Sequence, residues 1–387
     1  MTADYPTQPS PAKDQATGLL PVGLADQLAP RASVEARLQE ELIAQLEANG
    51  YERVKPPLLE FEAALLADAP AKLRRRSFRV VDPLSRETLV LRSDMTGQIE
   101  RLASTRLAQQ PRPLRLCYAG QVVRVTGSDL RPERQFSQVG AEIIGLEPSQ
   151  GAFALVEVAS LAARGMAMVF TQGLVADLVL PNLVKRLCAQ HKHELTQGLQ
   201  AAIAARDPKM IAEQSCGEVS DALQGLMRAA GPWREALAQV PDALFDAQSR
   251  AQFVALAEGL EANVDGLSVT FDPVEQRGFE YHQGPGFVFF AANSRGELGR
   301  GGLYITRAGE LAAGMTHYLD SLARGLEASQ PPQYVLVPAD ERQVAAQLIG
   351  QGYRVRRVLE PGAAPSPQLA QATGCQLYWD GTAVQAI

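Results

Sequence analysis

An arginine, an amide and a carboxylate that can converge on one face are the residues of this sequence with the clearest chemical use. They lie between Leu116 and Gly145, in LCYAGQVVRVTGSDLRPERQFSQVGAEIIG. An alternating apolar and polar run ends in Arg124, a loop rich in Gly, Ser, Asp and Pro follows, and a second alternating run carries Gln138 and Glu142. Residues of like parity on a strand point to the same face. The spacing therefore predicts a strand-loop-strand hairpin that presents Arg124, Gln138 and Glu142 toward one pocket. A cation, an amide and a carboxylate together can read a small polar zwitterion. The same alternation also suits a solvated sheet face, and the hairpin alone does not separate the two.

The elements around the hairpin must position it. Val34, Leu38, Leu42 and Leu46 form an i, i+4 stripe, which predicts an amphipathic helix over 32–49 that Gly50 terminates. Pro56 and Pro57 keep the following Tyr51–Phe61 segment extended. Ser77–Asp82 and Thr88–Arg92 read as short strands, and Asp94 stands where it could cap a helix over Gly97–Leu107. A second helix is expected from Gly151 to about Arg164. From Thr171 to Leu267 the pattern turns alanine-rich and helical, as an inserted module. Strand character returns at Leu267–Phe271 and Phe287–Ala292. The Gly-rich GELGRGGLYI, Gly296–Ile305, lacks the spacing of a nucleotide-binding fingerprint and reads as tight turns between antiparallel strands. Glu310–Leu326 reads as a helix. After Gln330, Pro331 and Pro332, residues 333–387 read as a small α/β module.

Composition bounds the class. The 387 residues suffice for two or three domains, and 46% hydrophobic with 21% charged residues is a globular balance. No apolar run approaches the roughly 20 residues of a membrane span, and no secretory leader is evident. Residues 1–17 are polar and Pro-rich and are expected to form a disordered arm. Cys117, Cys188, Cys216 and Cys375 are widely spaced, which points to reduced thiols in a cytoplasmic protein rather than disulfides or a zinc site. His191 and His193, two apart on a helix, fall on different sides and do not make a metal pair. A net charge of −6 argues against a strong non-specific nucleic-acid binder. The basic run Lys72, Arg74, Arg75, Arg76 and Arg79 fits a solvated face or a partner surface.

Four separated stretches resemble, in order, the class II aminoacyl-tRNA synthetase core and within it the histidyl-tRNA synthetase family. Gly50–Glu60, GYERVKPPLLE, is similar to motif 1, the dimer-forming segment. LRSDMT, Leu91–Thr96, is similar to that family's LRPEGT. The hairpin is similar to motif 2, and RGFEYHQG, Arg277–Gly284, to the histidine-specific RGLDYY. The resemblance implies an α+β fold: a class II synthetase-like antiparallel sheet flanked by helices. Its core would be 18–170 and 268–328, with the helical insertion at 171–267 and the small C-terminal α/β module at 333–387. It also implies roles. Asp94, Thr96 and Gln138 would hold the α-ammonium of histidine. Glu142 and Tyr281 would face the imidazole with His282 beside them, and Arg124 and Arg277 would lie near the carboxylate.

The nucleotide half departs from the family. Motif 2 has an acidic residue two after its arginine, where this chain has Thr126, and the basic loop that follows becomes GSDLRPE, Gly127–Glu133. Motif 3 ends in Gly-x-Glu-Arg on a helix, where this chain has Tyr318, Asp320 and Ser321, and GGRYD becomes GGLYI. Phosphoryl chemistry depends on positioned cations, so loss of the arginine to Ser321 removes the expectation of ATP activation. A histidine pocket without activation chemistry resembles the ATP phosphoribosyltransferase regulatory subunit family, the synthetase-like branch of histidine biosynthesis. That resemblance implies a non-catalytic chain without cofactor, metal, tRNA or membrane. It implies a homodimer through motif 1, joined to the short-form ATP phosphoribosyltransferase catalytic subunit in a hetero-octamer, with histidine as effector. A divergent active synthetase, a histidine-binding sensor and a scaffold with a vestigial pocket stay open beside it.

Overall fold

Helix α1, Arg31–Ala48, buries Val34, Leu38, Leu42, Ile43 and Leu46 on one side, as the i, i+4 stripe requires. It stops because Gly50 takes φ +85°, a left-handed conformation that costs a residue without Cβ little. This computed structural model describes residues 19–66, 71–127, 131–276, 282–326, 333–360 and 362–387. They form two compact units, 19–27 with 31–326, and 28–30 with 333–387.

In the larger unit, β1 (Glu52–Arg53) follows α1, and β2 (Leu59–Phe61), β3 (Arg79–Val81) and β4 (Thr88–Leu91) make a three-stranded sheet in the order β2-β4-β3. Helix α2 (Thr96–Ser104) leads to the hairpin, β5 (Leu114–Val123) and β6 (Gln135–Leu146), and to α3 (Gly151–Ala167). Next come β7 (Leu174–Val179), short helices over residues 183–239 that enclose β8 (Gly231–Pro232), and α4 (Ala247–Asn263). Strands β9 (Ser268–Phe271), β10 (His282–Ala291), β11 (Gly299–Ile305) and β12 (Leu311–Tyr318) then lead to α5 (Leu319–Gly325). The large sheet has nine strands in the order β1-β5-β6-β12-β11-β10-β7-β9-β8. It is antiparallel from β5 to β7, with parallel pairing of β1 to β5 and of β7 to β9.

Alternation sorts the hairpin between two cores. Cys117, Val139, Ala141 and Ile143 face a core with Leu155 and Val158 of α3 and Leu256 and Leu260 of α4. Leu116, Tyr118, Val122, Phe136 and Ile144 face the other way, onto Met95 and Ile99. The second face carries the candidate site.

Three expectations are corrected. The stretch 171–267 is not wholly helical, because β7 lies inside it and pairs with β10 and β9. Its helices are not a separate module either: Leu199, Ile211, Leu223 and Trp233 share one core with Leu155 and Phe287. Gly299–Ile305 is a central strand rather than tight turns. Its glycines serve close packing, since a Cβ at Gly301 would collide with the Gly314 carbonyl and the Phe287 ring. The left-handed turns are at its flanks, Gly296 (φ 74°) and Gly309 (φ 83°). Glu310–Leu326 divides into β12 and α5. LAAGMTHY has helical composition, but β11 and β6 pair it on both sides, and tertiary pairing overrides propensity.

The smaller unit is a four-stranded sheet, order β14-β13-β15-β16, from β13 (Tyr334–Val337), β14 (Arg354–Arg357), β15 (Leu377–Trp379) and β16 (Val384–Ala386). Helices Arg342–Gly350 and Pro367–Ala372 pack on it around Val335, Val337, Leu348, Leu336 and Ala370. Among the described residues no helix is long and apolar enough to cross a membrane.

Candidate functional site

Strand β6 sends Phe136, Gln138, Gly140 and Glu142 to one face. Glu142 stands between Leu116 of β5 and Gly314 of β12, and Gly140 between Tyr118 and Thr316. The glycines create the space. A Cβ at Gly140 would collide with the Tyr118 ring, and one at Gly314 with the Glu142 carboxylate.

Glu142 is 1% exposed and is held by three hydroxyls. Thr96 Oγ1 donates at 3.0 Å and Tyr118 OH at 3.1 Å to Oε1, and Tyr304 OH at 2.8 Å to Oε2. Burial pushes this carboxyl up to about 8, against the downward pull of those hydroxyls. Burial also raises the Tyr118 and Tyr304 hydroxyls well above the usual phenol range, so both stay protonated and donate. Tyr118 OH lies 3.3 Å from Thr316 Oγ1.

Beside it, Gln138 Nε2 donates to Asp94 Oδ2 at 3.0 Å, and the Thr96 backbone N–H donates to Asp94 Oδ1 at 3.0 Å. Met95, not Asp94, is the N-cap residue of α2, so Asp94 spans the turn before the helix instead of capping it. The Gln138 side-chain oxygen is buried with no hydrogen-bond partner among the described residues. Arg124 Nε donates to the Ser93 carbonyl at 3.1 Å, its NH2 is 4.0 Å from Asp94 Oδ2, and its guanidinium lies 4.8 Å from the Phe136 ring centre.

Arg124, Gln138 and Glu142, which the hairpin spacing sends to one face, thus lie together with Asp94 and Thr96, which the resemblance adds. Arg277 and Tyr281 lie outside the described residues. His282 opens β10, with its backbone opposite Tyr304. Sequence reasoning missed Tyr118 and Tyr304. Tyr118 shares the parity of Arg124 within the hairpin and could have been selected by the rule that selected Gln138 and Glu142.

A second constellation adjoins the first through Phe136. Arg131 NH1 donates to both oxygens of Asp320, at 2.6 and 2.8 Å, and its NH2 to Ser321 Oγ and the Glu297 carbonyl, each at 2.9 Å. Its guanidinium lies 4.0 Å from the Tyr318 ring centre and 4.7 Å from that of Phe136. Arg324 donates to Glu133 at 2.9 Å and to Ser321 Oγ at 3.0 Å.

Chemically, the first constellation is a buried carboxyl, a second carboxylate and an amide with one unpaired oxygen, with a cation beside them. Comparison with known proteins identifies the family of the chain. The histidyl-tRNA synthetase family model matches residues 23–322. An ATP phosphoribosyltransferase regulatory subunit of Paramagnetospirillum magneticum is 43% identical over 92% of this chain and 95% of that protein. The solved ATP phosphoribosyltransferase regulatory subunit/histidyl-tRNA synthetase of Bacillus halodurans superposes with a TM-score of 0.76 over 93% of this chain and 97% of that one, at 21% identity. A chain of the ATP phosphoribosyl transferase (HisG:HisZ) complex of Thermotoga maritima superposes with a TM-score of 0.58 over 74% of this chain and 97% of that one, at 17% identity. The last two likenesses concern the fold, while the match to the Paramagnetospirillum protein fixes the family: the chain belongs to the ATP phosphoribosyltransferase regulatory subunits, built on a histidyl-tRNA synthetase-like core.

Proposed function

We propose that this chain is the non-catalytic regulatory partner of a short-form ATP phosphoribosyltransferase in histidine biosynthesis. It activates the catalytic subunit and transmits feedback inhibition by histidine bound between α2 and β6. The observation that carries the ligand assignment is the unpaired buried oxygen of Gln138 beside Asp94. An acceptor left without a donor in a buried site costs free energy, and an α-ammonium supplies donors to both groups. Charge-assisted hydrogen bonds of this kind are about twice as strong as neutral ones. At the base, the Glu142 carboxyl meets an imidazole N–H, and Arg124 at the side meets the carboxylate. A site lined this way rejects apolar amino acids, which would leave its polar groups unpaired. Arg277, Tyr281 and His282 complete the ligand shell in this reading.

The chain does not adenylate histidine in this reading, because Thr126 and Ser321 replace the residues that a synthetase uses on ATP. Dimerisation through the motif 1 segment and assembly with catalytic chains into a cytoplasmic hetero-octamer are part of the same proposal. The names of the Paramagnetospirillum and Thermotoga relatives support the partnership. Regulation follows if histidine binds two states of the assembly unequally, since coupling of roughly 1–3 kcal/mol shifts their populations strongly.

Co-expression with the short phosphoribosyltransferase of the same organism tests the proposal. The catalytic subunit is expected to be inactive alone, active with this chain, and inhibited by histidine only in the complex. Full activity of the catalytic subunit alone, or histidine-driven pyrophosphate exchange by this chain, contradicts it.

A further inference from the structure

After β9 the chain passes the end of the helix Gln197–Ala204, and an ion pair ties the two segments. Arg206 NH2 donates to Asp272 Oδ2 and lies 3.8 Å from Glu275 Oε2. The β9 side of this join is well fixed. Asp272 Oδ1 accepts the Val274 N–H at 3.1 Å, Glu275 Oε1 accepts the Gln276 N–H at 2.9 Å, and Val274 is buried in the main core. Beside the join the walls part around a cavity of about 270 Å³. Gln200, Arg206, Glu275 and Gln276 give it polar groups, and Ala201 and Ala204 give it an apolar wall. The Gln276 side-chain nitrogen is buried and has no hydrogen-bond partner. A buried donor without an acceptor costs free energy, and an acceptor entering the cavity recovers it. The Arg206 side chain is still 32% exposed beside its ion pair, so its guanidinium can take a second anion. Negative charge gathers on the other side. Burial pushes the nearby Asp177 carboxyl up to about 6, and Asp272 and Glu275 each raise it by more than Arg206 lowers it.

We propose that this cavity is a second ligand site, for a small α-amino acid with an uncharged side chain. The ligand carboxylate accepts from Gln276 Nε2 and from Arg206, and its ammonium donates to Glu275 and to the Gln200 amide oxygen. A carboxylate such as Glu275 has about four lone-pair sites, so it serves the Gln276 N–H and an ammonium together. Pockets for drug-sized ligands begin at about 300 Å³, and this cavity falls just below that, as suits a smaller molecule. The alanine wall offers the ligand side chain contact and no charge. The site shares no residue with the Asp94–Glu142 constellation, so it stands whether or not that constellation takes histidine.

The test titrates the full chain with glycine, L-alanine and L-glutamine by calorimetry and thermal shift, with acetate and methylammonium as half-ligands and histidine in a separate arm. At least one of the three amino acids is expected to bind saturably and raise the melting temperature, where the half-ligands at the same concentration do not. Gln276→Leu replaces the unpaired amide with an apolar group of similar shape. It should keep its melting temperature and bind that amino acid about tenfold or more weakly. Ala201→Trp fills the cavity from an exposed helix position and should abolish the binding. Both variants should titrate with histidine as the wild type does. Saturable binding of none of the three, or affinity unchanged in either variant, overturns the proposal, as does loss of histidine binding in a folded Ala201→Trp. Should Gln276→Leu fail to fold, Ala201→Trp decides alone. A wild type that binds one of the three but not histidine upholds this site and counts against the histidine reading, so the two failures are distinguishable.

Discussion

Gly314 lies directly opposite Glu142 in the pairing of β12 with β6, and the Glu142 carboxylate occupies the space that a Cβ at Gly314 would need. The buried acid of the site thus depends on a missing side chain one strand away. Gly314→Ala should push the carboxylate off its hydroxyl donors. Overpacking of this kind typically costs about 1–3 kcal/mol, read as a lower melting temperature, and histidine binding should weaken with it. An alanine variant that binds histidine as tightly as the wild type would show that the carboxylate is free to move without consequence.

The hydroxyls around Glu142 are unequal. Oε1 accepts from both Thr96 and Tyr118, whereas Oε2 accepts from Tyr304. Tyr304→Phe should therefore destabilise the chain more than Tyr118→Phe, by about 1–3 kcal/mol for a buried oxygen deprived of its donor. Chemical denaturation of the two variants orders them, and the reverse order would count against Tyr304 as the principal donor to that oxygen.

The site was legible from sequence where a local rule sufficed. Parity along the hairpin brought Gln138 and Glu142 to one face, and the i, i+4 stripe located α1. It was illegible where a residue's meaning lay on another strand. Gly299 and Gly301 read as turns because nothing nearby in sequence shows the Phe287 ring or the Thr316 and Gly314 carbonyls that forbid a side chain there. β12 read as helix because its alanines carry helical propensity, while its strand state comes from β6 and β11. Tyr304 was passed over for the same reason: its partner, Glu142, is 162 residues away.

Asp94 and Gln138 should matter to the ammonium group alone. Asp94→Asn keeps an oxygen for the Thr96 N–H but loses the charge, so histidine affinity should fall by about 1.5–3 kcal/mol, roughly ten- to a hundredfold. Imidazole propionate, which lacks the ammonium, should bind wild type and variant alike. Calorimetry with both ligands checks the assignment, and an equal loss for both would move Asp94 away from the ammonium.

Two buried groups act oppositely on stability as pH changes. The Glu142 carboxyl is raised from 4.5 to about 8 by burial. Between those values the folded chain keeps a proton that the unfolded chain has released, so its contribution is full below 4.5 and is lost as pH rises through 8. His317, whose Nε2 lies 3.0 Å from the Ala162 carbonyl, is pushed down from 6.5 to about 4 by burial. It stays neutral when folded, so its contribution is present above 6.5 and is lost as pH falls through 4. The two offset each other between 4.5 and 6.5, and from 6.5 to 8 Glu142 alone of the pair remains. Glu142→Gln removes one slope and leaves the other. Relative to the wild type, the variant should therefore gain stability from pH 5 to pH 8 by up to about 1 kcal/mol per pH unit. Urea denaturation of both proteins across that range measures the difference directly. A gap that does not change with pH would mean that Glu142 does not hold its proton in the folded chain.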